Sequence, residues 1–272
     1  MKLSTQQITD FQATVWQYFD QHARSMPWRS ESSFYYVLVS ELMLQQTQVS
    51  RVMPKFEAFV RRFPTIDGLA AAQLADVIVA WQGLGYNRRA KYLHDAAQHI
   101  VRHGRPTTEQ TLQTLPGVGA NTAGAIMAYA YNQPVVFVET NIRTVYIATF
   151  FADVDQVHDR DIIDCVRQTL DHSNPREWYY ALMDYGAHLK QSDARVSQSK
   201  HYRKQPALQG SIREMRGKIL RVLVQGALDR RELEQLLDHD TRVSRAIDGL
   251  VRDGLVEMVG EQISLTASRE PS

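Results

Sequence analysis

Apolar residues recur every three to four positions along most of the chain, the spacing of one buried face of a helix. Ile8, Phe11, Val15 and Phe19 follow Ser4 and Thr5, either of which can cap a helix start. Ser25-Met26-Pro27-Trp28-Arg29 breaks that helix, and the next runs from Ser32 or Ser33 through Leu44. Residues 49–62 resume the pattern, Pro64 ends it, and residues 66–82 predict a further helix pair. Residues 124–131 read as a close-packing helix of small side chains, and 134–138 as an extended apolar run leading into a helix over 142–146. After a linker at 206–210 the spacing predicts amphipathic helices over 212–224, 230–237 and 241–253. Two short apolar runs, 255–259 and 262–265, then flank Gly260-Glu261 as a hairpin. The expectation is an all-α chain with two parts: a large helical domain over 1–205, and a small winged helix-turn-helix-like domain over 206–272 that ends in a frayed tail.

One turn stands out from this periodicity. Leu115-Pro116-Gly117-Val118-Gly119 opens directly into Ala120-Asn121-Thr122-Ala123-Gly124. Two glycines one residue apart allow a sharp bend and close approach to a ligand, and the following helix aims its free N–H groups at that space. The chemistry suits an anion: a nucleotide phosphate, a DNA phosphate, or nothing if the turn is only punctuation. A dinucleotide fold is disfavoured, since the preceding Glu109-Gln110-Thr111-Leu112-Gln113-Thr114-Leu115 spaces its leucines as a short helix rather than a strand. Helix, glycine turn and helix together form the helix-hairpin-helix pattern, a sequence-independent grip on the DNA backbone. A purely structural turn is the alternative.

Composition narrows the classes. At 44% hydrophobic over 272 residues the chain can bury one large core or a domain with an appendage, and the net charge of +1 points to no partner. Charge distribution says more: from Lys190 to Arg221 nine Lys and Arg, Lys200 among them, face only Asp193 and Glu214. Such a run is a solvated linker or a set of phosphate contacts. A single cysteine, Cys165, excludes an internal disulfide and a four-cysteine cluster. No apolar run spans a bilayer and the first residues lack a signal-peptide core, so the expected location is cytoplasmic, with the nucleoid.

Candidate chemistry lies on three stretches. Glu41 is the one carboxylate within Phe34-Tyr35-Tyr36-Val37-Leu38-Val39-Ser40-Glu41-Leu42-Met43-Leu44. In such a setting it is either a paired helix-edge residue or a general acid with a raised pKa. Gln45-Gln46-Thr47-Gln48 is either the wet end of that helix or a probe of base edges and duplex steps. Gly83-Leu84-Gly85-Tyr86-Asn87-Arg88-Arg89 is a turn with a charged helix behind it, or a second phosphate edge with Tyr86 as a stacking platform. Glu139, beside Asn141 at the exit of the apolar run, is a helix-start acid or the second of two carboxylates dividing the work at a glycosidic bond.

Taken together, Glu41 to Val49, Gly83 to Tyr86, Leu115 to Gly119, the acid-X-Asn element at Glu139 to Asn141, and Ala181-Leu182-Met183-Asp184-Tyr185-Gly186-Ala187 resemble the helix-hairpin-helix DNA glycosylases over about residues 5–190. Among these the chain is most similar to the adenine-removing members. The resemblance implies a two-lobed helical fold and a metal-free hydrolysis of the N-glycosidic bond of adenine mispaired with guanine or 8-oxoguanine, by a monomer acting on duplex DNA. It implies that Glu41 protonates the departing base and Glu139 stabilises the sugar cation, with Asn141 holding the site. Gln46 and Tyr86 become candidate wedges, with Gln45, Thr47, Arg88, Arg89 and Lys200 as further DNA contacts. The turn Pro116-Gly117-Val118-Gly119 becomes a phosphate grip, with a monovalent cation as an added element.

Four departures from the family pattern qualify this. Glu139 stands where Asp is usual. Asn121 stands where bifunctional members carry an imine-forming lysine, and it cannot form one. The segment after Ala187 lacks the cluster cysteines, so no iron–sulfur cluster is expected. The domain that reads 8-oxoguanine in the opposite strand is not expected, since residues 206–272 read instead as the winged module. Removal of thymine or uracil from mispairs, or DNA-structure binding without catalysis, are the alternatives.

Overall fold

Ser4 starts the first helix as the spacing predicts: its hydroxyl accepts from the Gln7 N–H while the Gln7 side chain accepts from the Ser4 N–H. The computed structural model describes residues 1–192 and 207–266. Its elements run α1 (Thr5–His22), α2 (Pro27–Ser30), α3 (Phe34–Leu44), α4 (Val49–Arg62), α5 (Ile66–Ala71), α6 (Leu74–Trp81) and α7 (Arg88–His103). There follow α8 (Glu109–Leu112), α9 (Ala120–Tyr129), α10 (Thr140–Phe150), α11 (Asp159–Thr169) and α12 (Pro175–Ser192). The C-terminal part contains α13 (Ile212–Leu223), β1 (Leu228–Asp229), α14 (Arg230–Leu236), α15 (Val243–Arg252), β2 (Val256–Val259) and β3 (Gln262–Leu265). The architecture is mostly helical, as expected. Residues 134–138 stay extended without pairing into a sheet. No described helix is long and apolar enough to cross a membrane.

The chain divides into two compact units. One comprises Met1–Val37, Thr107–Gln113 and Val118–Lys204; the other comprises Leu38–Pro106, Thr114–Gly117 and Gln205–Ser272.

In the first unit, α12 packs along α10 and α1. Phe11 of α1 meets the rings of Tyr146 at 5.1 Å, Phe150 at 5.0 Å and Trp178 at 5.9 Å. Asp184, buried in the middle of α12, ties down the chain after α1. Arg24 donates to it from its backbone N–H at 3.0 Å and from Nε at 2.6 Å, and Arg29 donates to both carboxylate oxygens at 2.8 Å.

In the second unit, α5 and α6 lie against α7, with Phe56, Phe59, Leu69 and Trp81 fully buried. The C-terminal strands form an antiparallel sheet in the order β1-β3-β2, with Met258 opposite Ile263 and the hairpin turning at Gly260, where φ is 63°. The expected boundary at 205/206 lies outside the described residues. The apolar cluster of α13, α15 and β3 continues into Leu74 and Ile78 of α6, so the C-terminal residues share a core with the larger helical part. Helix α15 begins two residues later than the periodicity predicts, because Asp240 draws the Arg242 N–H (2.9 Å) and its guanidinium into a turn of their own.

Candidate functional site

Glu41 occupies the last turn and a half of α3, half-buried among Leu38, Leu42 and Met43, which are fully buried. The helix ends three residues later, leaving carbonyls without intrahelical partners. One guanidinium gathers them. Arg89 of α7 donates from one terminal nitrogen to the carbonyls of Leu42 (2.8 Å), Met43 (2.9 Å) and Gln45 (2.5 Å). Its other terminal nitrogen donates to Thr47 Oγ1 (2.9 Å) and the Gly85 carbonyl (3.0 Å). Burial lowers its pKa to about 10, with nearby Tyr86 opposing the shift. Arg89 is thus committed to the protein, and the expectation that it meets DNA phosphate is corrected: it binds the Glu41 helix to the Gln45–Thr47 turn and the Gly85–Tyr86 turn. Its neighbour Arg88 points outward, its side chain 56% exposed, lying 5.0 Å over the Tyr92 ring and 3.7 Å from Asp253.

The two candidate wedges share an unusual backbone. Gln46 and Tyr86 adopt left-handed φ values of 55° and 47°, conformations that non-glycine residues hold only when their surroundings impose them. Gln46 is exposed at the tip of its turn. Gln45 is turned the other way and donates from Nε2 to the Gly117 carbonyl at 3.0 Å, so it fastens the glycine turn rather than reaching outward. Tyr86 carries Arg89 at 5.5 Å from its ring centroid and Arg213 of α13 at 4.9 Å, with the Arg213 guanidinium also hydrogen-bonded to its hydroxyl.

Helix, glycine turn and helix are present at α8 and α9. Gly117 has φ 80°, and a Cβ built there would lie 2.9 Å from Tyr92 Cβ and 3.0 Å from Leu42 Cδ2, so glycine is required twice over. Pro116 precedes it and the buried Val118 anchors the turn. Gly119 is the N-cap of α9, has open space where a side chain would stand, and leaves the first N–H groups of the helix without a side-chain cap. Such a helix start suits a phosphate oxygen. Asn121 sits exposed in the first turn of α9.

Glu139 closes the start of α10. Its Oε1 accepts from the backbone N–H of Asn141 at 2.6 Å and of Ile142 at 3.0 Å, which makes it the helix-start acid of α10. Burial pushes its pKa up, while the Ile142 N–H, Lys190, the Asn141 N–H and Arg143 pull it down. The segment is held by contacts that only glycine permits. A Cβ on Gly124 would fall 2.7 Å from Phe137 Cβ, and one on Gly186 would fall 2.3 Å from the Asn141 carbonyl oxygen. Lys190 of α12 donates from Nζ to Asn141 Oδ1 at 2.8 Å, although in the sequence it stands only as the first member of a basic run. The signal was present, because Lys190 lies one helical turn after Gly186.

Within the second unit the structure therefore brings together the Glu41 helix, Gln45, Gln46, Thr47, Tyr86, Arg88, Arg89 and Gly117. Within the first it brings together Glu139 and Asn141, and it places Gly119 and Asn121 at the start of α9. Lys200 lies outside the described residues. The single cysteine, Cys165, is buried in α11, and among the described residues no three His, Cys, Asp or Glu side chains gather as a metal-ion set. Just before α15, Arg242 is engaged by Asp240 and Glu214, whereas Arg245 within the helix is exposed.

Residues 39–161, which include Glu41, the glycine turn, Glu139 and Asn141, match the HhH-GPD superfamily of base excision DNA repair proteins. An adenine DNA glycosylase of Mycolicibacterium smegmatis is 35% identical over 268 residues, covering 90% of this chain and 92% of that protein. The human adenine DNA glycosylase is 34% identical over 196 residues, covering 66% of this chain and 36% of that protein. Among solved structures, a thermostable thymine-DNA glycosylase aligns with a TM-score of 0.60 at 21% identity, over 67% of this chain and 87% of that one. An endonuclease III trapped in a covalent DNA intermediate aligns at 0.57 and 16% identity, over 77% of this chain and 93% of that one. These structural likenesses bear on the fold alone.

Proposed function

Because this chain belongs to the HhH-GPD superfamily of base excision DNA repair proteins, we propose that it is a monofunctional DNA glycosylase that hydrolyses the N-glycosidic bond of adenine mispaired with guanine or 8-oxoguanine. The observation that carries this reading is the likeness to a bacterial adenine DNA glycosylase over 90% of the chain, a span longer than residues 1–205 alone. It acts on duplex DNA as a monomer, in the cytoplasm with the nucleoid.

The target base leaves the stack, and Gln46 and Tyr86, held in left-handed turns, fill the gap. Glu41 gives its proton to the departing base as the bond from C1′ to the base nitrogen breaks. The Glu139 carboxylate, fixed by two backbone N–H groups, faces the positive charge that develops on the sugar. Water then adds its hydroxyl to C1′ and returns a proton to Glu41, leaving an abasic site and free base. Asn121 forms no imine, so the strand stays intact.

The N–H groups at the start of α9, with Gly117 and Gly119, grip a backbone phosphate, and Arg88 adds a charge contact. A monovalent cation at the turn belongs to the same reading: the Gly117 carbonyl, engaged by Gln45 at 3.0 Å, keeps a second lone pair for such an ion. The α13 to β3 segment is read as a winged helix that braces Tyr86 through Arg213. Lys200 and its basic neighbours are read as phosphate contacts in place of a metal cluster.

The reading is tested by assaying base release, with alkali to reveal abasic sites, over duplexes holding adenine, thymine, uracil or hypoxanthine opposite guanine or 8-oxoguanine. Loss of adenine supports it. Loss of thymine or uracil alone keeps the chemistry and moves the specificity. Binding without any abasic product contradicts it.

A further inference from the structure

One face of α12 wraps Asn141. Gly186 has no side chain, so the helix comes within contact of the Asn141 backbone. Met183, three residues earlier, takes the Asn141 Nδ2 at 3.9 Å from its sulfur, and Lys190, four residues later, donates to Asn141 Oδ1 at 2.8 Å. An ammonium has donors and no acceptor, so it fixes which way the amide points: oxygen toward Lys190, NH2 away from it. The NH2 group then faces a thioether, a weak acceptor readily exchanged for a sugar or phosphate oxygen. The same residue joins the carboxylate, because the Asn141 backbone N–H donates to Glu139 Oε1 at 2.6 Å.

We propose that Lys190 is a positioning residue for the glycosidic-bond chemistry: its ammonium orients the Asn141 amide as a donor toward DNA and sets a fixed positive charge beside Glu139. This rests on the glycosylase reading above. Among the described residues of this unit, the charged groups that act on Glu139 are Lys190 from α12 and Arg143 from α10. Arg143 is committed to Asp159 of α11 through two bonds of 2.8 Å, and Lys190 acts on Glu139 more strongly than Arg143 does. Burial favours the neutral acid at Glu139, and Lys190 joins the Ile142 and Asn141 N–H groups in opposing it. Lys190 itself is held below the ordinary lysine value by burial, and further by Arg143, against the pull of Glu139.

The test compares Lys190→Met, Lys190→Gln and Lys190→Arg with wild type in single-turnover base release from pH 5 to 9. The Glu139 carboxyl is titrated by 13C NMR in the DNA-free proteins, its signal identified by loss in Glu139→Gln. Met removes both functions: release at neutral pH falls tenfold or more, the acid limb moves up by about one pH unit, and the Glu139 titration moves with it. Gln keeps a donor for Asn141 but no charge, so the acid limb still moves while part of the rate returns. Arg restores both. A Met variant whose rate falls equally at every pH, with the Glu139 titration unchanged, has lost only packing and overturns the proposal. Should Met fail to fold, Gln and Arg carry the same comparison. If wild type releases no base from any duplex, the glycosylase reading fails, and the titration still decides whether Lys190 controls Glu139.

Discussion

Arg89 donates to the carbonyl oxygen of Leu42 at 2.8 Å, from a residue only 6% exposed, directly under the helix end that carries Glu41. A buried guanidinium in that position satisfies several carbonyls that α3 leaves open. Removing it exposes those carbonyls to an apolar interior, where each unpaired group costs about 1–3 kcal/mol. Arg89→Ala is therefore expected to lower stability by on the order of 3 kcal/mol, read as a drop in thermal midpoint, and to reduce base release with it. Arg88→Ala is expected to leave the midpoint unchanged, weaken duplex binding uniformly across sequences, and lower the salt dependence of binding by about one counterion. Equal effects of the two substitutions on stability would refute the distinction.

The glycine turn makes two opposite demands. At Gly117 a methyl group meets Tyr92 and Leu42 on a backbone with φ 80°, so Gly117→Ala strains the fold by on the order of 1–3 kcal/mol. At Gly119 the backbone is ordinary for any residue, with φ −89°, and the space is open. Gly119→Ala should leave the melting curve within about 0.5 kcal/mol of wild type while reducing affinity for duplex DNA, because the methyl enters the space assigned to a phosphate. Unchanged DNA affinity in Gly119→Ala would remove the phosphate from that position.

Asp184 gives a pH-dependent prediction with a definite sign. Burial pushes its carboxyl up, but Arg29 and then Arg24 outweigh that and hold it below the ordinary value of 3.8. A depressed carboxylate stabilises the fold at all pH values above that ordinary value, and the stabilisation is lost as pH falls through the lower folded value. Asp184→Asn leaves Arg29, whose side chain is only 11% exposed, without its counter-ion and should destabilise by about 3 kcal/mol at neutral pH. The gap between variant and wild type in urea unfolding should be constant from pH 7 down to pH 4 and narrow below it. A gap that stays constant into strong acid would contradict the assignment.

The helices were legible because their apolar residues keep helical spacing, and the glycine turn was legible as a sharp bend into a helix start, although its ligand was not. Glu41, Glu139 and Asn141 stood out by being polar in apolar surroundings. Contacts across long sequence separations were hidden: Asp184 lies within a recognised motif, but nothing local announces that Arg24 and Arg29 close on it. Arg88 and Arg89 looked equivalent as neighbouring cations. The discriminating signal was helical phase, since Arg89 lies one turn before Leu93 on the buried face of α7, whereas Arg88 lies one turn before the half-exposed Tyr92. Lys190 was masked in the same way by the basic residues that follow it.

The most direct test of the central claim is single-turnover release of adenine from a duplex holding adenine opposite 8-oxoguanine, with wild type and Glu41→Gln side by side at matched DNA occupancy. Glutamine keeps the size and hydrogen-bonding shape of the side chain but has no carboxyl proton to give. The account predicts equal duplex binding and a loss of at least a thousandfold in adenine release, reflecting loss of the proton donor and of any role its carboxylate plays with the water. Release by Glu41→Gln at the wild-type rate would contradict it.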